Sequence, residues 1–112
     1  ASRRLISSTR AAATSPAAKL RAVLDKPGCV VMPCCFDALS AVMIQRADFP
    51  VTFMSGFGVS STYGLPDTQL VQYAEMQQAA ANITNAVSIP VIADGDTGYG
   101  NAMNVKRTVR GY

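Results

Sequence analysis

Two aspartates, Asp94 and Asp96, directly follow a short apolar run at residues 89–93 that has the character of a buried strand. Side chains two apart on a strand point to the same face, so both carboxylates would project from the end of this strand into one space. Two like charges at that separation raise each other's pKa unless a cation lies between them. Mg²⁺, a hard divalent cation that takes oxygen ligands, meets that requirement, so the pair is a candidate metal site.

The residues around the two acids favour a close approach of the backbone to a ligand. Glycines at 95, 98 and 100 let the chain turn sharply and leave no side chain in the way. An aspartate–glycine turn after a strand is also common in proteins that bind no metal. This stretch alone leaves that alternative open.

A second polar segment, Ser55-Gly56-Phe57-Gly58, follows the apolar run at residues 51–54. A hydroxyl and successive backbone N–H groups just past a strand can hold an anion. A plain glycine turn would have the same composition, so the tetrapeptide by itself does not decide between the two.

Apolar spacing and turn residues predict alternating helices and strands around these two loops. The predicted order is a helix at 16–25 after a cap at Ser15, a strand at 29–32 closed by Pro33, a helix from Asp37 to about Ala47, a strand at 51–54, a short turn at 59–63, a helix from about 69 to 86 capped by Asp67 or Thr68, a strand at 89–93 and a helix from Asn101.

This alternation predicts an α/β fold with right-handed βαβ units and a parallel sheet. Both polar loops follow the carboxyl ends of strands, where binding sites lie in open α/β sheets and in (β/α)₈ barrels. A barrel usually takes about 250 residues, so 112 residues hold about three of its eight units. The chain is therefore either an open three-stranded domain or the first three units of a truncated barrel, preceded by an N-terminal helix.

Composition and charge exclude several classes of protein. Hydrophobic residues make up 49% of the chain and charged residues 15%, which is typical of a folded domain. No apolar run approaches the roughly 20 residues that span a bilayer, so we expect no transmembrane segment. Residues 1–24 hold five basic residues and no acid, while the rest holds five basic residues and seven acids. The net charge of +3 is thus a property of the first segment, and we expect no nucleic-acid surface.

Residues 1–15 form a basic leader rich in Arg, Ser, Thr and Ala, which precedes the predicted domain at 16–112. This composition is typical of an organelle transit peptide. We expect the protein in an organelle interior, the mitochondrion in preference to the chloroplast. A disordered basic tail without a targeting role is the alternative.

Four short motifs occur in order along the chain: Phe36-Asp37-Ala38-Leu39-Ser40-Ala41, Met54-Ser55-Gly56-Phe57-Gly58-Val59-Ser60, Leu65-Pro66-Asp67 and Asp94-Gly95-Asp96-Thr97-Gly98-Tyr99-Gly100-Asn101. Over about residues 16–112 they resemble the isocitrate lyase / phosphoenolpyruvate mutase superfamily, most closely its phosphonomutases, methylisocitrate lyases and oxaloacetate hydrolases. The family pattern has alanine where this chain has Gly95. The resemblance implies a (β/α)₈ barrel that binds Mg²⁺.

The resemblance also implies roles for the metal-binding residues. Asp94 would contact Mg²⁺ directly, while Asp96 and Asp67 would act through its water ligands. Mg²⁺ would stabilise the negative charge of an enolate formed when a C–C or P–C bond breaks.

By the same resemblance, Ser55 and the N–H groups of Gly56 and Phe57 would hold the carboxylate or phosphonyl group of a small 2-oxo acid or dicarboxylate. The family's catalytic loop, Lys-Lys-Cys-Gly-His, does not occur in this sequence, which contains no His. We therefore expect the N-terminal part of a Mg²⁺-dependent lyase or phosphonomutase that is inactive on its own. The alternative is an inactive partial barrel that serves as a structural subunit of an organellar complex, with protein partners on its open strand edges.

Overall fold

The computed structural model describes residues 15–112. The predicted basic leader lies outside the described residues, apart from Ser15. The described chain contains five helices and three strands, in the order α1 (Pro16–Leu24), β1 (Cys34–Cys35), α2 (Ala38–Arg46), β2 (Thr52–Met54), α3 (Gly56–Thr62), α4 (Tyr73–Ala86), β3 (Val91–Ala93) and α5 (Ala102–Gly111).

The three strands form one parallel sheet in the order β1-β2-β3, which confirms the predicted α/β class. Phe53 lies opposite Cys34 on one side and Ile92 on the other. Past the strands the ladder continues, because the N–H of Asp94 donates to the carbonyl of Met54 at 3.1 Å. The carboxyl ends of β2 and β3 are therefore level, and the two polar loops start side by side.

The predicted position of the first strand, residues 29–32, is wrong. The strand is Cys34–Cys35, because β2 donates to carbonyls on either side of Cys34: the N–H of Phe53 to Pro33 at 3.1 Å and that of Ser55 to Cys35 at 3.0 Å. Pro33 has no N–H to donate, yet its carbonyl accepts. It therefore starts the pairing, where we expected it to close the strand.

The start of α4 also differs from the prediction. Neither Asp67 nor Thr68 caps this helix, which begins at Tyr73 with Gln72 as its N-cap. The N–H of Gln72 donates to the Glu75 carboxylate at 3.2 Å, which satisfies a donor at the helix terminus. Gln69, with φ of 61°, has a left-handed backbone that a helix cannot include.

The three other predicted helix starts are confirmed, since Ser15, Asp37 and Asn101 are the N-caps of α1, α2 and α5. The short turn predicted at 59–63 is the second half of α3, whose N-cap is Ser55. The second polar loop is thus the first turn of a helix.

The core lies between the sheet and helices α2, α3 and α4. Its largest fully buried side chains are Met54, Met76, Ile83, Val51, Val59, Thr52 and Cys35. Within residues 15–112, β1 and β3 each pair on one side only, and large apolar side chains on α2 and α5 remain exposed, among them Leu39, Met43, Met103 and Val109. None of the helices between residues 15 and 112 is long and apolar enough to span a bilayer.

Candidate functional site

Asp94 and the first turn of α3 are in direct contact, although 38 residues separate them in the chain. The backbone N–H of Gly56 donates a hydrogen bond to Asp94 Oδ2 at 3.2 Å. Ser55 directly follows β2 and Asp94 directly follows β3. Because the two strands end at the same level, this contact can form. The structure thus brings together one predicted metal ligand and one predicted substrate-binding group.

The other oxygen of this carboxylate is also occupied by a backbone donor. The N–H of Asp96 donates to Asp94 Oδ1 at 2.9 Å. Each carboxylate oxygen has two lone pairs, so each retains one for a further partner. Asp94 is half-buried, and its orientation is set by two backbone groups before any ligand binds.

The strand periodicity from which we predicted a shared face for Asp94 and Asp96 does not apply, because β3 ends at Ala93. Asp96 lies in a turn and has a left-handed backbone with φ of 47°. The hydrogen bond between the Asp94 side chain and the Asp96 N–H forms this turn, as short polar side chains commonly do. The two acids are neighbours through this turn and not through the pleat of a strand.

Asp67 lies in the exposed loop between α3 and α4. Partial desolvation is the largest cause that raises the pKa of Asp96, followed by the charges of Asp94 and then Asp67. No three acidic or thiol side chains of residues 15–112 are grouped closely enough to hold a metal by themselves. Asp94, Asp96 and Asp67 still fit Mg²⁺, because this ion keeps several waters and commonly takes only one or two carboxylates as direct ligands.

We expect Asp96→Asn to stabilise the metal-free protein at neutral pH. A carboxyl whose pKa is raised in the folded state binds more protons there than in the unfolded state, so the free energy of unfolding falls as the pH rises above the ordinary aspartate pKa of 3.8. Asn does not ionise and tolerates the left-handed backbone. Thermal unfolding in EDTA should show a larger gain in the Tm of the variant over the parent at pH 8 than at pH 4.

The effect should be small, because the side chain of Asp96 is solvent-exposed overall. Asp48→Asn is the matched control, since Asp48 also has φ of 61° but precedes β2, at the opposite edge of the sheet. A variant at position 96 that is less stable than the parent at pH 8 would contradict the prediction.

The three predicted substrate-binding residues are adjacent but differ in what they offer. Ser55 Oγ accepts a hydrogen bond from the N–H of Gly58 at 3.2 Å, as an N-cap does. Its own O–H remains a donor, since a hydroxyl donates once and accepts twice. The N–H of Gly56 is engaged by Asp94, and the side chain of Phe57 is 64% exposed.

Two glycines of the site differ in how much space surrounds them. A Cβ on Gly56 would lie 2.7 Å from Asp94 Oδ2, so the observed position of the Asp94 carboxylate requires glycine there. A Cβ on Gly95 would meet only Thr108 Cγ2, at 3.9 Å. The structure therefore has room for the alanine that the family pattern carries at position 95.

Sequence reasoning assigned no role to Tyr99, which packs beside the two acids. Its ring makes an edge-to-face contact with Tyr73 at 6.2 Å, and its hydroxyl is 3.5 Å from that of Tyr112. Burial is the main cause that raises the pKa of Tyr99, and the same holds for Tyr112. Tyr99 has φ of 61°, a conformation that the sequence does not reveal for a residue other than glycine.

Comparison with known proteins extends over most of the chain. Residues 20–112 match the family model described as phosphoenolpyruvate phosphomutase. The chain belongs to this family. Its place in the isocitrate lyase / phosphoenolpyruvate mutase superfamily, inferred from the four motifs, is thereby confirmed.

Two relatives illustrate the chemistry found in the family. The chain is 46% identical over 97 residues to 2,3-dimethylmalate lyase of Eubacterium barkeri, a match that covers 86% of this chain and 34% of the relative. It is 44% identical over 90 residues to the chloroplastic carboxyvinyl-carboxyphosphonate phosphorylmutase of Arabidopsis thaliana, a match that covers 79% of this chain and 26% of the relative.

Solved structures agree with the fold. Phosphoenolpyruvate phosphomutase from Streptomyces platensis subsp. rosaceus matches with a TM-score of 0.82 and 43% identity over 86% of this chain and 33% of that one. Phosphonopyruvate hydrolase in complex with oxalate and Mg²⁺ matches with a TM-score of 0.81 and 35% identity, over 88% of this chain and 35% of that one. The predicted fold, three βα units of a (β/α)₈ barrel, is confirmed, and the chain spans about a third of the length of these proteins.

Proposed function

We propose that this chain carries the metal-binding and acid-binding loops of a Mg²⁺-dependent lyase or phosphonomutase that acts on small 2-oxo or dicarboxylic acids through an enolate. The observation that carries the proposal is the 3.2 Å hydrogen bond from the Gly56 N–H to Asp94 Oδ2. It places an oxygen ligand suited to a cation beside backbone donors suited to an acid. Family membership supports the reaction class, because the relatives are lyases and phosphomutases.

In this proposal Asp94 binds Mg²⁺ directly, and Asp96 and Asp67 act through water ligands of the metal. Both oxygens of Asp94 retain a lone pair after their backbone contacts. Asp67 and Asp96 are exposed, so water can occupy the space around them. The bound metal would stabilise negative charge that develops on a substrate oxygen when a C–C or P–C bond breaks.

Ser55, Gly56 and Phe57 hold the acid group of the substrate in this proposal. Ser55 keeps a hydroxyl proton to donate, and the N–H of Phe57 is one of the donors that the first turn of a helix leaves without an intrahelical partner. The N–H of Gly56 is shared with Asp94, so this residue connects the acid-binding turn to the metal ligand.

We further propose that the protein acts in an organelle interior. The composition of residues 1–15 and the chloroplastic location of the Arabidopsis relative support this proposal. The sequence itself favours the mitochondrion. A fusion of residues 1–15 to a fluorescent protein, imaged in plant cells, should enter one of the two organelles.

Binding of oxalate tests the function independently of turnover, which suits a chain that spans about a third of its relatives. Oxalate should bind in calorimetric titrations when Mg²⁺ is present and at least about tenfold more weakly in EDTA, because the metal supplies the charge that an acid ligand needs. Acetate, with a single carboxylate, is the control ligand. Failure to bind either Mg²⁺ or oxalate would overturn the proposal and favour the structural-subunit alternative.

A further inference from the structure

The loop that carries Asp67, residues 65–72, lies between α3 and α4 and is defined here as the Asp67 loop. It faces the glycine-rich loop, residues 94–100, which carries Asp94 and Asp96. Within the described part of the chain, a single hydrogen bond joins the two loops. The hydroxyl of Thr97 donates to Gln69 Oε1 at 3.2 Å.

Gln69 occupies a conformation that costs free energy. It has φ of 61°, a left-handed backbone that is unfavourable for residues with a Cβ. The side-chain amide of Gln72 donates to its backbone carbonyl at 2.5 Å, so Gln69 is held at both its carbonyl and its side chain. Strained residues that the surroundings hold in place tend to occur where geometry matters for function.

The glycine-rich loop is the more firmly anchored of the two. The N–H of Gly98 donates to the carbonyl of Gly95 at 2.8 Å, and the buried Thr108 hydroxyl donates to the carbonyl of Gly98 at 3.1 Å. The Asp96 N–H bond to Asp94 fixes the other end. Thr97, between these anchors, therefore offers a fixed point to which the Asp67 loop attaches.

We propose that Gln69 and Thr97 form a latch that positions Asp67 beside the Asp94–Asp96 pair and so raises the affinity of the metal site. This inference rests on the proposed function, because it assumes that the three acids serve one cation. Neither residue would contact the metal in this proposal. They act as positioning residues, and the role of Asp67 depends on them.

Two single variants open the latch in different ways. Thr97→Val removes the hydroxyl and keeps the shape, while Gln69→Gly removes the side chain and relieves the left-handed strain. Loss of one hydrogen bond should weaken Mg²⁺ binding about two- to tenfold in either variant, measured by calorimetry and by Mn²⁺ resonance spectroscopy. Gln69→Gly should weaken Mg²⁺ binding without lowering the Tm, because the relief of backbone strain offsets the greater freedom of glycine in the unfolded chain. Thr97→Ser should retain the affinity of the parent.

Coupling to Asp67 distinguishes positioning from a purely structural contact. In the parent, Asp67→Asn should weaken Mg²⁺ binding, whereas in the Thr97→Val background the same change should have little further effect. The double variant Gln69→Gly/Thr97→Val should bind no more weakly than the weaker single variant. Additive losses, or an affinity within error of the parent in Thr97→Val, would overturn the latch.

The failure of the latch and the failure of the proposed function give different results. If Asp94→Asn abolishes Mg²⁺ binding while the latch variants bind as the parent does, the metal site stands and the latch is wrong. If the parent binds no Mg²⁺, both inferences are overturned together.

Discussion

Asp94→Asn is expected to weaken Mg²⁺ binding by more than about a hundredfold while leaving the fold intact. Mutation of a residue that only supports a metal ligand commonly lowers metal affinity about 10- to 100-fold. Asp94 is the proposed direct ligand, so we expect a larger loss. Asn has nearly the same shape and keeps one oxygen that can accept a backbone hydrogen bond, but it carries no charge. Calorimetric titration with Mg²⁺ measures the affinity, and thermal unfolding in EDTA measures the fold.

The matched control for this variant is Asp48→Asn. It removes the same charge from an exposed loop at the amino end of β2, across the sheet from the site. The net charge of the two variants is equal, so any general effect of charge on Mg²⁺ attraction is the same in both. Equal affinities for Mg²⁺ in the two variants would mean that Asp94 is not the ligand.

The sequence predicted that the two polar loops lie side by side, because their placement depends on strand order alone. Alternating apolar runs and helices imply parallel strands, and parallel strands end at the same edge. Ser55 and Asp94 each follow a strand directly, so their proximity follows from topology without any knowledge of side-chain packing. The 3.2 Å contact between Gly56 and Asp94 is the local consequence.

The bounds of the elements were harder to predict, because backbone hydrogen bonds decide them. Pro33 was expected to close a strand, and instead its carbonyl is the first acceptor of the ladder. The sequence offers Asp67 and Thr68 as good caps, yet α4 begins at Gln72. Gln69, one residue past Thr68, has a left-handed backbone, so no helix can run from a cap at Asp67 or Thr68 through this position.

Backbone conformation explains the remaining differences within the site. Asp96, Tyr99 and Gln69 all have positive φ, which sequence patterns assign to glycine and only occasionally to other residues. The prediction of a shared strand face for Asp94 and Asp96 failed because β3 ends at Ala93 and Asp96 lies in a turn with a left-handed backbone. The turn that replaces the strand still leaves the two carboxylates close enough for one to raise the pKa of the other.

Two hydrogen bonds fix the position of the Asp94 carboxylate, and we expect that position to matter for metal binding as much as its charge. Its two oxygens are held by N–H groups from two different loops, at 3.2 and 2.9 Å. Binding sites of this kind require their groups within about 0.5 Å of the productive geometry. A change that moves this carboxylate without removing any charge should therefore impair metal binding.

Gly56→Ala is such a change, and it is expected to weaken Mg²⁺ binding about 10- to 100-fold. The added Cβ would lie 2.7 Å from Asp94 Oδ2, well inside van der Waals contact, so the carboxylate must move and lose the Gly56 N–H bond. Alanine suits the first residue of α3 at least as well as glycine does, so we expect little change in Tm. Calorimetric titration measures the affinity for Mg²⁺, and thermal unfolding in EDTA measures the Tm of the metal-free protein.

Gly95→Ala is the control for this variant, since it adds a methyl group to the same site where only Thr108 Cγ2, at 3.9 Å, is in reach. It should bind Mg²⁺ as the parent does and gain up to about 1 kcal/mol of stability, because alanine reduces the freedom of the unfolded chain. Equal losses of affinity in both variants would mean that the loops adjust as a whole and that the Gly56–Asp94 contact does not set the position of the carboxylate. A loss confined to Gly56→Ala, with every acid still present, would separate the geometry of the site from its charge, which Asp94→Asn alone cannot do.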